Sequence, residues 1–237
     1  YYEVYKKMIR VEKKYTFFAE EKDSVSACLL ESKYSFSRSY NKRYVNSIYL
    51  DSFDFLNYKE NLAGLSKRSK ARIRWYSNSP LEAVTSDTEL TLEVKVRSNL
   101  LGNKLSFSFR LPEEVLCFTS NMLLAHLRQK VFPAELLPYI DYCSIFSLGA
   151  CYKREYFEDF TGGLRATIDD DIVFCNPGGL RVFKCEFIQK YSVEYGVLEL
   201  KFAPDQQFSL ENDIFDAIEI RAGRHSKYTV GLYLVYK

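Results

Sequence analysis

Lys70-Ala71-Arg72-Ile73-Arg74-Trp75-Tyr76 and Leu92-Glu93-Val94-Lys95-Val96-Arg97 alternate charged and apolar side chains residue by residue. Successive side chains on an extended strand point to opposite faces. Lys70, Arg72 and Arg74 therefore share one face of their strand, and Glu93, Lys95 and Arg97 share one face of theirs, while the apolar residues between them turn to a core. The same reading extends outward along the chain. Arg10, Glu12 and Lys14 share a face, as do Arg165, Thr167 and Asp169, and Glu199 and Lys201; Arg154 lies in a further alternating run.

Nine stretches are rich in aromatic and β-branched residues and read as strands: 3–18, 41–50, 68–77, 88–98, 103–111, 149–160, 164–174, 180–190 and 195–203. Helices are expected over Ser24 to Tyr34, Ser52 to Leu62 with Ser52 as N-cap and Gly64 as stop, Pro112 to Lys130, Ala134 to Phe146, and Leu210 to Arg221. The polar stretch Ser77 to Thr88 reads as a mobile loop, and Asn176-Pro177-Gly178-Gly179 as a hairpin turn. Strands in runs with a few helices between them predict an α+β fold with an antiparallel sheet rather than a βαβ array. With 237 residues and no linker composition, one domain spanning 1–237 is expected.

The 33 Lys and Arg nearly cancel the 31 Asp and Glu, leaving a net charge of +2, so no overall field draws the chain to nucleic acid or to an acidic membrane. Any anion site must come from local arrangement. No stretch reaches the roughly 20 apolar residues of a membrane span. The six cysteines form no C-x-x-C pair and sit mostly in apolar runs, which reads as reduced thiols in a cytoplasmic protein, with a disulfide set as the alternative. His126 and His225 are too few and too far apart for a histidine metal site, and there is no P-loop.

Taken singly, each alternating strand is a half-buried strand with a solvated face. Taken together, their charged positions are dominated by Arg and Lys, and E-x-K occurs three times, at Glu12, Glu93 and Glu199. If the strands close into a barrel, these faces meet in one lumen whose cations are costly to desolvate without a polyanion or carboxylates. Arg suits phosphate through paired hydrogen bonds and Lys as a point charge. Glu12, Glu93 and Glu199 are candidate oxygen ligands for Mg²⁺ or Mn²⁺ bridging to phosphates.

Eight short motifs then occur in an order that resembles the VTC domain, the polyphosphate polymerase branch of the CYTH-like triphosphate tunnel metalloenzymes. They are R-V-E-K-K-Y from Arg10, S-I-Y-L-D-S-F-D-F from Ser47, K-A-R-I-R-W-Y from Lys70, L-E-V-K from Leu92, Y-K-R-E-Y-F from Tyr152, L-R-A-T-I-D from Leu164, L-E-L-K-F from Leu198 and H-S-K-Y from His225. The resemblance implies an antiparallel β-barrel tunnel of about eight strands with helices packed outside, taking ATP, triphosphate or polyphosphate into its lumen. It implies phosphate contacts from Lys14, Arg72, Arg74, Lys95, Arg154, Arg165 and Lys227, with Arg10, Lys70 and Lys201 in support. Glu199 becomes the leading metal ligand, ahead of Glu12 and Glu93, and Lys227, Glu199, Arg72 and Arg74 the catalytic set.

The activity implied is polyphosphate synthesis from ATP, with triphosphate hydrolysis and non-catalytic sensing as alternatives. Simpler triphosphatases typically open with E-x-E-x-K, whereas this chain has Arg10-x-Glu12-x-Lys14. An acid is replaced by a further phosphate contact, which suits a longer anion. Eukaryotic relatives couple synthesis to membrane transport, so transport here would need a membrane partner protein.

Overall fold

The computed structural model describes residues 11–98, 101–177, 181–185, 187, 189–203, 220–223 and 225–237. Arg10 and nearly all of the helix expected over Leu210 to Arg221 lie outside the described residues. The chain divides into two compact units. One comprises Tyr1–Lys42, Arg154–Asp170 and Glu194–His225, the other Arg43–Lys153, Asp171–Val193 and Ser226–Lys237.

Among the described residues there are ten strands: β1 (Val11–Phe18), β2 (Ser37–Asp51), β3 (Lys67–Ser77), β4 (Leu90–Ser98), β5 (Leu101–Phe109), β6 (Ile145–Glu158), β7 (Arg165–Cys175), β8 (Lys190–Ser192), β9 (Tyr195–Phe202) and β10 (Arg221–Ala222). The helices are α1 (Lys22–Glu31), α2 (Leu56–Leu62), α3 (Glu113–Leu116), α4 (Ser120–Lys130), α5 (Leu137–Ile140) and α6 (Lys227–Tyr236). No helix among the described residues is long and apolar enough to cross a membrane. All six cysteines are free thiols.

In the first unit the strand order runs β10-β1-β9-β7, with every register antiparallel. Tyr15 and Phe17 of β1, Leu198, Leu200 and Phe202 of β9, and Ala166 and Ile168 of β7 pack on one side against Val25 and Leu29 of α1. Gly196 faces the Phe17 ring so closely that a Cβ there would lie 2.2 Å from it. The other side of these strands carries Glu12, Lys14, Arg165, Thr167, Glu199 and Lys201, as their two-residue spacing dictates.

In the second unit β2-β3-β4-β5 form an antiparallel meander, and β8 pairs with β7. Ala71, Ile73 and Trp75, then Leu90, Leu92 and Val94, face a core completed by Leu123, Leu124 and Leu127 of α4 and Ile140 of α5. Among the described residues no pairing closes either strand row into a barrel. The alternating charged residues of β3 and β4 occupy the opposite face.

Several elements differ from expectation. Helix 112–130 is broken at Cys117 to Thr119 into α3 and α4, and 134–146 shrinks to the single turn of α5 because β6 begins at Ile145. In the 180–190 stretch Val182–Lys184 forms a 3-10 turn and the strand starts only at Lys190. The polar loop after β3 is pinned rather than loose: Val84 is buried and donates its N–H to Phe183 O at 2.8 Å, and Trp75 Nε1 donates to Glu82 O at 3.2 Å.

Helix α2 starts at Leu56, four residues later than expected, although Ser52 still serves it by accepting the Leu56 N–H at 2.9 Å. The fully buried Asp51 does more, accepting from the N–H groups of Ser52, Asn57 and Tyr58 and from the Tyr228 hydroxyl of α6. One carboxylate thus fixes the starts of two helices. Removing it would leave several buried donors unsatisfied, at a cost of about 1–3 kcal/mol for each group left without a partner. Asp51→Ala is therefore expected to lower unfolding free energy by about 3 kcal/mol in urea titrations, whereas a loss under about 1 kcal/mol would show that water replaces the carboxylate.

Candidate functional site

The polar face of β2-β3-β4-β5 is built by register. Tyr49, Arg72, Glu93 and Ser106 stand opposite one another across the four strands, and Ser47, Arg74, Thr91 and Ser108 form the neighbouring row. On the other side lies a row of three lysines, Lys70, Lys95 and Lys104, each directly opposite the next. Like charges at such positions destabilise a sheet unless an anion or water separates them. Lys104 was absent from the sequence-level candidates because Gly102-Asn103-Lys104-Leu105-Ser106 holds only one charge; register alone reveals its place.

Glu93 organises this face. Its Oε2 accepts from Arg72 Nε at 2.8 Å and Nη2 at 2.6 Å, and its Oε1 from Lys104 Nζ at 2.5 Å and Arg74 Nη1 at 3.3 Å. Burial pushes its carboxyl up, but Arg72 and Lys104 outweigh burial and hold it at about 2. Arg72 loses solvation in the same place, yet Tyr49 and Glu93 raise its pKa. Arg74 is 9% exposed, and among the described residues its Nε has no hydrogen-bond partner. A buried guanidinium N–H without an acceptor marks a place where an anion oxygen or water belongs.

Helix α6 and its cap bring Ser226, Lys227 and Tyr228 of the H-S-K-Y motif to the same unit. Ser226 caps the helix by accepting the Thr229 N–H at 3.4 Å, and its Oγ also accepts from Lys70 Nζ at 2.9 Å. Lys227 follows, with Nζ 4.4 Å from the centre of the buried Tyr152 ring. Such a cation–π contact holds an ammonium without neutralising it. The Tyr228 ring stacks on Tyr49 at 4.8 Å, and Tyr49 Oη accepts from Arg72 Nη1 at 3.3 Å.

The first unit gathers the remaining candidates. Glu12 faces Lys201, which faces Arg165; Lys14 faces Glu199, which faces Thr167. Lys14 Nζ lies 3.0 Å from Glu12 and 3.5 Å from Glu199, and Lys201 Nζ 2.6 Å from Glu199. Burial lowers the Lys14 pKa, but Glu199 and Glu12 together carry it above the ordinary lysine value. Arg154 grips the buried Asp169 with Nε at 2.5 Å and Nη2 at 2.7 Å, and Arg165 pairs with Glu158 at 2.8 Å. Each cation here meets a carboxylate of its own unit, whereas Arg72, Arg74 and Lys104 share Glu93.

Among the described residues no three His, Cys, Asp or Glu side chains gather to hold a metal by themselves. The donor sets differ in how well they suit one. Glu93 is saturated by Arg72, Arg74 and Lys104. Glu12 and Glu199 converge on one ammonium, an arrangement that also suits a hard divalent ion taking one or two carboxylates and completing its shell with phosphate oxygens and water.

The profile of the VTC domain matches residues 2–236. No curated protein matches the chain. Among solved structures, HpAC1 from Hippeastrum, a candidate adenylyl cyclase described as having a dominant triphosphatase activity, aligns over 96% of this chain and 97% of its own with a TM-score of 0.53 and 13% identity. A candidate adenylate cyclase from Vibrio parahaemolyticus covers 85% of this chain and 80% of its own with a TM-score of 0.43 and 10% identity. The HpAC1 likeness shows the fold, α+β with a mostly antiparallel sheet.

The Glu93 geometry has a direct consequence for stability. Its folded pKa lies below the unfolded value of about 4.3, so the stabilisation is complete above that pH and is lost as pH falls toward 2. Carboxyl NMR should place its titration midpoint near 2. Glu93→Gln, which leaves Arg72 and Arg74 without their counter-ion, should cost about 3 kcal/mol; an ordinary glutamate midpoint together with a small loss would mean that the pairing is absent in solution.

Proposed function

The chain belongs to the VTC domain family, and from that we propose that it is a metal-dependent phosphotransferase that synthesises polyphosphate from ATP. The observation that carries the reading is the group around Glu93: Arg72, Arg74 and Lys104 share that carboxylate, Lys70 and Lys95 stand in register with Lys104, and among the described residues the buried Arg74 Nε has no acceptor. Such a face suits a ligand carrying several negative charges in a row.

Phosphoryl transfer asks a protein chiefly to position its reactants and to stabilise charge on the equatorial oxygens. In the proposed reaction a terminal oxygen of the growing chain bonds to the γ-phosphorus of ATP, the bond from that phosphorus to the bridging oxygen of the β-phosphate breaks, and ADP leaves. Arg72 and Arg74 would hold phosphate oxygens through their guanidinium planes. Lys227, over the Tyr152 ring, would neutralise charge at the transferring group. In the first unit the family resemblance assigns phosphate contacts to Lys14, Arg154, Arg165 and Lys201, and Glu199, with Glu12, would hold Mn²⁺ or Mg²⁺, which supplies charge neutralisation when bound.

A second reading has its own support, since triphosphatase activity is described for HpAC1, the protein whose fold this chain resembles. There water replaces the chain terminus as acceptor. Cytoplasmic placement and a membrane protein that carries the product away belong to the proposal for the polymerase.

Incubation of the purified chain with ATP and Mn²⁺, with products separated by length, distinguishes the readings. Long polyphosphate is expected; orthophosphate alone would make the chain a hydrolase, and tight binding without turnover a sensor. Lys227→Ala should lower turnover by about a hundredfold. Glu199→Gln should abolish metal-dependent turnover while largely sparing phosphate binding, and full activity in that variant would remove Glu199 from the metal site.

A further inference from the structure

Glu12-Lys13-Lys14 on β1 and Glu199-Leu200-Lys201 on β9 carry the same E-x-K spacing on antiparallel neighbours within the first unit. Antiparallel pairing makes two such runs self-complementary, with Glu12 opposite Lys201 and Lys14 opposite Glu199. The four side chains form a square of alternating charge that sums to zero. Lys14 bridges both carboxylates, its Nζ 3.0 Å from Glu12 Oε1 and 3.5 Å from Glu199 Oε2. Lys201 Nζ covers the other oxygen of Glu199 at 2.6 Å.

An ammonium shared by two carboxylates occupies the place that a divalent ion shared by them would take. A metal ion entering without an anion would add two positive charges to a neutral group and meet Lys14 and Lys201 at ion-pair range. Water screens that repulsion poorly at Glu199, where 10% of the side chain is exposed. Phosphate changes the balance, because its oxygens offer the two ammoniums new partners and leave Glu12 and Glu199 to the metal. Lys14 is placed to make the move. Its side chain is 26% exposed, and its Nζ also donates to His225 O at 3.4 Å. His225 is anchored in turn, its Nε2 lying 3.0 Å from Tyr195 Oη.

We propose that Lys14 is an exchangeable counter-ion that keeps free divalent metal off Glu12 and Glu199 until a phosphate ligand draws the ammonium away. Metal and phosphate then enter together, and the chain discriminates against the metal alone. This rests on the reading that Glu199, with Glu12, holds the divalent ion, and adds how that site is regulated. Two identical E-x-K runs placed antiparallel give the device its neutrality, which neither run has without the register.

Two titrations of the same variants test the exchange: Mn²⁺ alone, followed by the paramagnetic resonance signal of the free ion, and inorganic tripolyphosphate in metal-free buffer, followed by calorimetry. Lys14→Met should tighten Mn²⁺ at least about tenfold and weaken tripolyphosphate about tenfold. A merely structural role cannot move the two ligands in opposite directions. Lys14→Gln should repeat the pattern, and Lys14→Arg should restore wild-type behaviour. Weaker binding of both ligands in Lys14→Met and Lys14→Gln overturns the exchange, as does tighter Mn²⁺ with unaltered tripolyphosphate. Unchanged Mn²⁺ affinity in Lys14→Met, with Glu199→Gln still lowering it, overturns the exchange and leaves the metal site standing. Mn²⁺ binding to Lys14→Met that a second substitution, Glu199→Gln, leaves unchanged removes Glu199 as a ligand and ends both readings.

Discussion

One buried carboxylate, Glu93, holds Arg72, Arg74 and Lys104 together, and the charged face of β2-β3-β4-β5 depends on it. Without a counter-ion these side chains would repel one another or turn to solvent. With Glu93 shared among the three, they are ordered as a group. Where Arg154 grips Asp169, charges are matched and the pair orders the strand. Around Glu93, among the described residues, three cations share one carboxylate.

The scaffold turns this chemistry into geometry through two devices. Antiparallel register sets Lys70, Lys95 and Lys104 side by side, a closeness that only tertiary structure creates. Asp51 then ties the start of α2 to Tyr228 of α6, so Lys227 enters its helix with its backbone already fixed. Close packing reinforces the tie: a Cβ on Gly231 would come within 2.6 Å of Phe174 and Leu148, so α6 approaches its neighbours at glycine distance.

Much of this was legible in the sequence where the period was clean. The two-residue alternation of Lys70 to Trp75 and of Leu92 to Arg97 located β3 and β4 and correctly sorted core from charged face, because burial on one side only enforces that pattern. Lys104 escaped because partners across strands are set by register, which no single strand encodes. Helix α6 escaped for another reason. Tyr228-Thr229-Val230-Gly231-Leu232-Tyr233-Leu234-Val235 is rich in strand-favouring residues, and its helical state comes from the Ser226 cap and from burial of Tyr228, Gly231, Leu232 and Val235 on one face. Local propensity and tertiary packing disagreed there, and packing won. The helix expected over 134–146 failed in the opposite direction, its second half drawn into β6.

The central claim is that the cation excess around Glu93 binds a chain of phosphates. The most direct measurement is the affinity of Arg74→Ala for inorganic tripolyphosphate, with circular dichroism confirming that the fold persists. Removing a buried guanidinium whose Nε awaits an acceptor should weaken tripolyphosphate by at least about tenfold, in line with the worth of a charged hydrogen bond. Wild-type affinity in that variant would contradict the account.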